Sequence, residues 1–206
     1  MDIFGAIEAG DVNGVRVAIE ADPSAATARN GDGVTAVRFA RYRNQREIVD
    51  VLLAAGPELD VFDAATVGDV DRLAALLDAD PAAVSAYAPD GFFPLALAAH
   101  FGQPAAVQLL LDRGADVHQA ATNAMEVQAL HAAVAGRNYQ ATKALLEAGA
   151  DPNAVQHGGW TPLMAAEQHD DGATVALLVQ FGAAPVPSPT PSPTPSPTSG
   201  NRPTTS

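Results

Sequence analysis

Short apolar segments with helical spacing recur along the chain. Val107, Leu110 and Leu111 stand at positions i, i+3 and i+4, which places them on one face of a helix. The same spacing returns in two further segments: Val49, Leu52 and Leu53, and then Val175, Leu178 and Val179. Glycines that could end such helices in a left-handed backbone conformation follow these segments and one more: Gly56, Gly114, Gly149 and Gly182. The pattern predicts a series of short helices, each with one apolar face.

The chain also repeats itself. A shift of 58 residues aligns the first quarter with the second, so that Asp22-Pro23 falls on Asp80-Pro81. A finer period separates the first large apolar residues of successive helical pairs by 33, 25, 33, 35 and 33 residues: Phe4, Val37, Phe62, Leu95, Leu130 and Leu163. We therefore predict six helix-turn-helix units, near residues 1–29, 30–58, 59–88, 89–122, 123–155 and 156–184.

Two motifs accompany this period. The sixth unit reads Thr161-Pro162-Leu163-Met164-Ala165-Ala166, and the fifth reads Gln128-Ala129-Leu130-His131-Ala132-Ala133. A second motif, Leu110-Leu111-Asp112-Arg113-Gly114-Ala115-Asp116, returns at residues 145–151. Over about residues 1–184 the chain resembles the ankyrin-repeat family, whose signature is Thr-Pro-Leu-His-x-Ala. The resemblance implies an all-α repeat fold, an ankyrin-type solenoid of stacked helix-turn-helix units with short β-hairpin fingers; the alternative is another helical repeat, such as a tetratricopeptide or HEAT array.

Some units depart from the family pattern. Units one and three lack the Thr-Pro-Leu-His motif and end in Asp-Pro, and the step from Val37 to Phe62 is too short for a full finger after Gly56. Unit five carries an insertion near Ala121 to Glu126. These departures predict an irregular binding groove on an unchanged fold.

The composition changes abruptly after Ala184. In the tail, residues 185–206, Pro alternates with Ser and Thr from Pro187 to Thr198, a pattern that blocks helix and sheet and cannot form a core. We predict a disordered, polyproline-like tail. As alternatives, the tail is a ligand for a proline-binding domain, an O-glycosylated stalk or a leash.

Composition narrows the classes of function. Apolar residues make up 48% of the chain and aromatic residues only 5%, so the core consists of small side chains that suit closely packed helices. The absence of Cys excludes disulfides, thiolate metal sites and a cysteine nucleophile. The net charge of −13 disfavours binding to nucleic acid and to anionic membranes and leaves a basic protein partner open, although acidic surface also favours solubility by itself.

The sequence contains neither a visible secretory signal nor a run of apolar residues long enough to span a membrane. We therefore expect a cytoplasmic monomer.

Candidate catalytic and metal-binding residues are sparse. The His residues form no zinc motif, no phosphate-binding loop surrounds Lys143, and neither Ser24 nor Ser85 stands in a nucleophile elbow. His131 occupies the histidine position of the family motif, which implies a structural hydrogen bond between units. His169 and the next two carboxylates are adjacent on a helix and point in different directions, which disfavours a metal site. We expect a protein that is not an enzyme and binds no metal or cofactor.

The resemblance implies that a partner binds along the fingers and the exposed sides of the first helices. The candidate partner-binding residues at matching positions are Tyr42, Arg43, Phe92, His100, Phe101, Met125, His157, Trp160, Gln168 and His169, with Val34, Asp90 and Val127 in a wider set. Our hypothesis is that Phe92, Phe101 and Trp160 form one continuous patch, because exposed aromatic side chains dominate binding energy at interfaces. The alternative is that Phe92 and Trp160 pack between neighbouring fingers.

Two classes of function remain open. The first is a non-enzymatic module that binds one partner protein. The second is an accessory inhibitor or immunity-like protein that masks a partner enzyme. A hydrolase built on the His169 cluster is a weaker third alternative.

An arginine cluster stands out in this acidic chain. Arg38, Arg41, Arg43 and Arg46 lie within nine residues of unit two. They either pair internally with acids such as Glu8, Asp11 or Asp69, or bind a carboxylate of the partner. If they bind the partner, Arg43→Glu weakens binding more than Arg46→Glu does.

Overall fold

The computed structural model describes residues 2–185, so the predicted disorder of the Pro-rich tail concerns residues that lie outside this range, apart from Pro185. The described residues form twelve α-helices arranged as six helical hairpins. The first helices of the hairpins are Ile3–Ala9 (α1), Ala36–Tyr42 (α3), Val61–Val67 (α5), Pro94–His100 (α7), Ala129–Ala135 (α9) and Pro162–Gln168 (α11). The second helices are Val12–Ala21 (α2), Arg46–Ala54 (α4), Val70–Ala79 (α6), Pro104–Asp112 (α8), Tyr139–Glu147 (α10) and Gly172–Gln180 (α12).

The first helices stack on one another in chain order and form the inner layer of the solenoid. Ala98, Ala133 and Ala166 are buried at their centres, and their small side chains let neighbouring helices approach. Each hairpin alone is too small to bury its apolar face, so stacking supplies the core. The all-α repeat fold predicted from the sequence is confirmed.

Helix starts show why units without the family motif still fold. Thr35 and Thr161 accept a hydrogen bond from a backbone N–H of the first turn, as N-cap residues do. In units one and three, Asp2 and Asp60 perform this role for α1 and α5. An aspartate cap therefore replaces the threonine cap where the motif is missing.

The connections between hairpins are irregular, as the sequence predicted. Antiparallel bridges between Arg29 and Thr35 and between Ala120 and Gln128 mark two of the fingers. Between α4 and α5 the chain runs from Gly56 directly to Val61, which leaves no room for a finger. The four glycines predicted to end helices all have positive φ, between 67° and 95°.

The core is divided between the second and third hairpins. One cluster of buried side chains joins hairpins one and two, and a separate cluster joins hairpins three to six. At the boundary, which we call the seam, α4 and α6 lack the close packing seen between other neighbouring second helices. A cleft of about 380 Å³ lies there, with Leu53, Pro57 and Val67 in its walls. The missing finger between Gly56 and Val61 accounts for this gap.

His131 makes a structural hydrogen bond, although not between units as the family resemblance implied. Its Nε2 lies 3.0 Å from the carbonyl oxygen of Ala154, which lies after α10 at the end of the same unit. Its Nδ1 is buried and has no hydrogen-bond partner among the described residues. The N-cap residue of this helix is Gln128, whose side chain makes no capping hydrogen bond. Unit five therefore lacks an interaction that Thr161 provides in unit six.

The missing cap gives a testable prediction. Gln128 has extended backbone angles, φ −84° and ψ 165°, similar to those of Thr161. We expect Gln128→Thr to raise the free energy of unfolding by about 1 kcal/mol, because a threonine here accepts a hydrogen bond from the first turn of α9. Urea denaturation followed by circular dichroism measures the change.

Thr161→Gln is the matched reverse variant and is expected to lower stability by a similar amount. A loss at position 161 without a gain at position 128 would contradict the capping argument for unit five.

Candidate partner-binding groove

An apolar cavity of about 340 Å³ opens between the inner helices and the fingers of hairpins four to six. Phe92 and Met125, from the fingers, stand on one side. Leu97 and Val127 contribute further apolar surface. A cavity of this size is large enough to enclose one large side chain of a partner.

Alanines create the space. Ala96 lies on α7, Ala132 and Ala135 on α9, and Ala165 on α11, and all four line the cavity. Ala135 is exposed to solvent, whereas Ala132 is buried. Because alanine extends only to Cβ, consecutive inner helices leave a gap where larger residues would meet.

Tyr42 belongs to hairpin two, on the other side of the seam, and its side chain lines the cavity. Its hydroxyl donates a hydrogen bond of 2.7 Å to the carboxylate of Asp90, in the finger of hairpin four. The centre of its ring lies 5.8 Å from that of Phe101 and 6.5 Å from that of Phe92. Burial and the hydrogen bond to Asp90 raise the pKa of Tyr42, so its hydroxyl stays protonated and donates.

A second bridge crosses the seam beside Tyr42. The guanidinium of Arg41 lies 4.7 Å from the centre of the Phe101 ring and donates a 3.3 Å hydrogen bond to the Phe101 carbonyl. Hairpin two therefore contacts hairpin four directly on the groove side. These contacts between hairpins two and four help to position the side of the cavity that Tyr42 forms.

His100 lies beside this aromatic cluster. Its ring meets Phe101 edge to face, with 4.8 Å between the centres, and its Nδ1 lies 3.3 Å from the Ala132 carbonyl oxygen. Burial of the ring is the main cause that lowers the pKa of His100. The imidazole is therefore neutral at pH 7, and it adds no charge to the cavity.

The structure separates the ten candidate residues into groups. Four of them line the cavity: Tyr42, Phe92, His100 and Met125. Phe101 joins them through the Tyr42 ring. His157, Trp160, Gln168 and His169 belong to hairpin six and do not line the cavity. Arg43 lies in hairpin two and does not line the cavity; its guanidinium carbon is 5.2 Å from the centre of the Phe39 ring.

Only part of the predicted aromatic patch is continuous in the structure. Phe92 and Phe101 share Tyr42 as a common neighbour, whereas Trp160 contacts no other aromatic ring among the described residues. Trp160 is 38% exposed, beyond the fingertip of the last hairpin. From the wider set, Val34 is buried and does not line the cavity, whereas Val127, also buried, does line it.

The structure corrects the expectation for the arginine cluster. Arg38 is fully buried and cannot contact a partner. Its Nε lies 3.5 Å from the carboxylate of Asp63, which is also buried, and the guanidinium lies 5.4 Å from the centre of the Phe62 ring. Asp63 was not among the acids expected to pair internally. Arg43 reaches hairpin one through the backbone carbonyl of Glu8 instead of its carboxylate.

The buried ion pair is incompletely satisfied. No nitrogen of the Arg38 guanidinium has a hydrogen-bond partner among the described residues. Asp63 accepts a 2.6 Å hydrogen bond from the Thr35 hydroxyl. Burial, reinforced by the nearby Asp60, raises the pKa of Asp63 to about 6. The pair crosses the seam, because it connects α3 to α5.

One of the two acids after His169 has a structural role. Asp171 caps α12 by accepting hydrogen bonds from the backbone N–H and the hydroxyl of Thr174. Within residues 2–185, no three His or acidic side chains come close enough together to hold a metal ion. No helix of this part of the chain is long and apolar enough to cross a membrane.

Several contributors to the groove were missed in the sequence. The alanines on α7, α9 and α11 carry no signal as binding residues, because alanine at these positions also serves close helix packing. The bond between Tyr42 and Asp90 joins residues 48 positions apart, and no sequence pattern marks it. A signal does exist for Leu97, which lies two residues after the motif residue Leu95. Val127 was already in the wider set of candidates.

The fold and the groove define a helical repeat protein that presents its inner helices and fingers as one surface. Comparison with known families agrees: the profile of the ankyrin repeats, described as three copies, matches residues 61–156 and 120–189. These two matches together span more than half of the chain. The chain therefore belongs to the ankyrin-repeat family, whose repeats form a protein-interaction module.

Curated relatives share the repeat and differ otherwise. A protein of Treponema pallidum, named as ankyrin repeat-containing, is 34% identical over 72% of this chain and 50% of its own length. The E3 ubiquitin-protein ligase KEG of Arabidopsis thaliana is 31% identical over 73% of this chain and 8% of its own. The mouse RelA-associated inhibitor is 45% identical over 28% of this chain and 7% of its own. This chain thus spans half or less of the length of each of these relatives.

Proposed function

We propose that this protein binds a partner protein in the groove formed by the inner helices and fingers of hairpins four to six, without catalysing a reaction. The observation that carries the proposal is the apolar cavity beside Phe92 and Met125. It is open to solvent at Ala135, so an incoming side chain could enter without unfolding the protein. The cytoplasmic location favoured by the sequence belongs to the same proposal.

Two physical reasons support a protein as the partner. Met125 and Trp160 are large apolar side chains that remain exposed, and such residues gain free energy when a partner removes them from water. The groove is also continuous over several hairpins, which suits an extended segment better than a small molecule. The aromatic side chains around Tyr42 would supply the anchor contacts.

Trp160→Ala tests whether the binding surface extends over hairpin six. We expect it to weaken binding of the partner by about 2 kcal/mol, which corresponds to about 30-fold in affinity, because tryptophan is a frequent hot-spot residue. The helical content and melting temperature should stay nearly unchanged, since the side chain is 38% exposed. Phe101→Ala should weaken binding by a similar factor.

Tyr139→Ala provides the matched control, because Tyr139 is 39% exposed and lies on the outer helix α10. Affinity capture followed by mass spectrometry identifies partners that wild type and Tyr139→Ala retain and Trp160→Ala loses. Equal recovery of every partner by all three proteins would place the binding surface away from hairpin six. Unfolding of Phe101→Ala would assign that ring to the core.

The second hypothesis, that the protein masks a partner enzyme, stays a prediction. The relative named as an inhibitor aligns with this chain over 58 residues at 45% identity, which is about the length of two repeats. An activity assay of a captured enzyme, with and without this protein, distinguishes a masking role from simple binding.

A further inference from the structure

The fingertips that border the cavity are acidic. The finger segments at residues 89–92, 122–126 and 156–159 each contribute a residue to the cavity lining. They contain two carboxylates, Asp90 and Glu126, and no Lys or Arg. Neither carboxylate takes part in an ion pair among the described residues. Negative charge at the fingers is therefore uncompensated by the protein itself.

Both acids stand next to residues that line the cavity. Glu126 follows Met125, and Asp90 precedes Phe92 by two residues; both Met125 and Phe92 line the cavity. Asp90 keeps one hydrogen bond to the Tyr42 hydroxyl, which leaves its negative charge in place. Glu126 is exposed. An apolar cavity with carboxylates beside its finger residues selects for both shape and charge.

We propose that the groove recognises an extended basic segment of a partner protein, in which one large apolar side chain enters the cavity and Lys or Arg residues on either side meet Asp90 and Glu126. This inference rests on the proposed function and names the chemistry of its partner. Complementary charge steers encounter and fixes register. The net charge of −13 favours the approach of a basic segment.

Geometry sets the spacing within the segment. Neighbouring helices pack about 8–10 Å apart, and an extended chain advances about 3.3 Å per residue. A segment that crosses the fingers therefore passes one hairpin about every three residues. We expect basic residues within about three positions of the apolar anchor, on both sides.

The Pro-rich segment of this chain is a competing occupant. Residues 187–198 consist of Pro, Ser and Thr, without a basic residue or a large apolar side chain. Ala184, shortly before this segment, donates a hydrogen bond to the side chain of Asn153, near the finger residue Gln156 that lines the cavity. Proline-rich segments do bind aromatic-lined grooves, so the experiment must distinguish the two occupants.

Selection from a displayed library of random peptides against the full chain tests the proposal. We expect enriched peptides to share one large apolar residue flanked by Lys or Arg. Enrichment of proline-rich or acidic peptides, or no enrichment above an unrelated bait, would overturn the proposal. In those cases the capture of a partner that is lost in Trp160→Ala would still support the proposed function.

Cavity filling tests the anchor. Ala135→Phe places a ring at the cavity mouth from an exposed position and should weaken binding of the consensus peptide at least about 30-fold. Ala105→Phe makes the same change at an exposed position on the outer helix α8 and should have no effect. Equal affinities of the two variants would overturn the assignment of the cavity.

Charge neutralisation tests the acidic rim. Glu126→Gln should weaken binding of the consensus peptide about two- to fivefold at low salt and less at high salt, because exposed ion pairs are screened. This variant leaves the bond between Tyr42 and Asp90 intact. Glu20→Gln makes the same charge change at an exposed position of the outer helix α2. A similar loss in both variants would assign the effect to net charge and contradict a local acidic rim.

Discussion

Asp63→Leu is expected to lower the free energy of unfolding by about 3–5 kcal/mol, because it leaves the Arg38 guanidinium buried without a counter-charge. Both side chains are almost completely inaccessible to solvent, and no other acid pairs with Arg38 among the described residues. The leucine also removes the acceptor of the Thr35 hydroxyl. Urea denaturation at a pH well above 6, where Asp63 is ionised, measures the loss.

The double variant Arg38→Met with Asp63→Leu separates the ion pair from packing. A buried ion pair costs desolvation free energy, so replacing both partners with apolar residues should recover most of the loss. Arg29→Met removes the cation of an exposed pair with Asp60 and should cost about 1 kcal/mol or less. A double variant as unstable as Asp63→Leu alone would contradict the account of the buried charge.

Hydrogen exchange is expected to divide the molecule at the seam. Amides in hairpins one and two should exchange through a shared opening that leaves hairpins three to six folded, with protection lower by about 2 kcal/mol, or about 30-fold in rate. The physical reason is that each part has its own apolar core and that α4 and α6 barely pack together. Mass spectrometry of peptides from α4 and α10 measures the difference.

Tyr42→Phe sharpens this prediction. It removes the hydrogen bond to Asp90, which bridges the seam, and keeps the aromatic ring. Protection in hairpins one and two should fall further, while protection of α10 stays the same. Uniform protection across all six hairpins, unchanged in Tyr42→Phe, would show that the seam does not divide the fold energetically.

The fold could be predicted because the stacked hairpins have similar packing and capping requirements, which recur at a regular spacing in the sequence. Alanines recur where inner helices meet, and in four of the six hairpins a glycine follows the second helix; Ala133 and Gly149 are examples. The short step after Gly56 predicted a missing finger, and the structure lacks one there. Residues that pack or end helices at a regular spacing can therefore be recognised in a single sequence.

The site could be predicted only in part because a cavity depends on contacts between distant residues. Alignment to the repeat placed Phe92 and Met125 correctly at the fingers. It could not show that Arg38 would be buried, since this depends on Asp63 of the next unit and on how closely the two helices approach. Alignment to the repeat also selected Trp160, but it could not show that this side chain would lie apart from the cavity and from the rings around Tyr42.

The central claim is that a partner occupies the groove of hairpins four to six. The most direct test is methyl NMR of the full chain, titrated with a partner recovered by affinity capture. The account predicts the largest shifts at Leu97, Met125 and Ala135, around the cavity, with little change at Leu111 on α8. Shifts confined to the outer helices, with unperturbed methyl signals around the cavity, would contradict it.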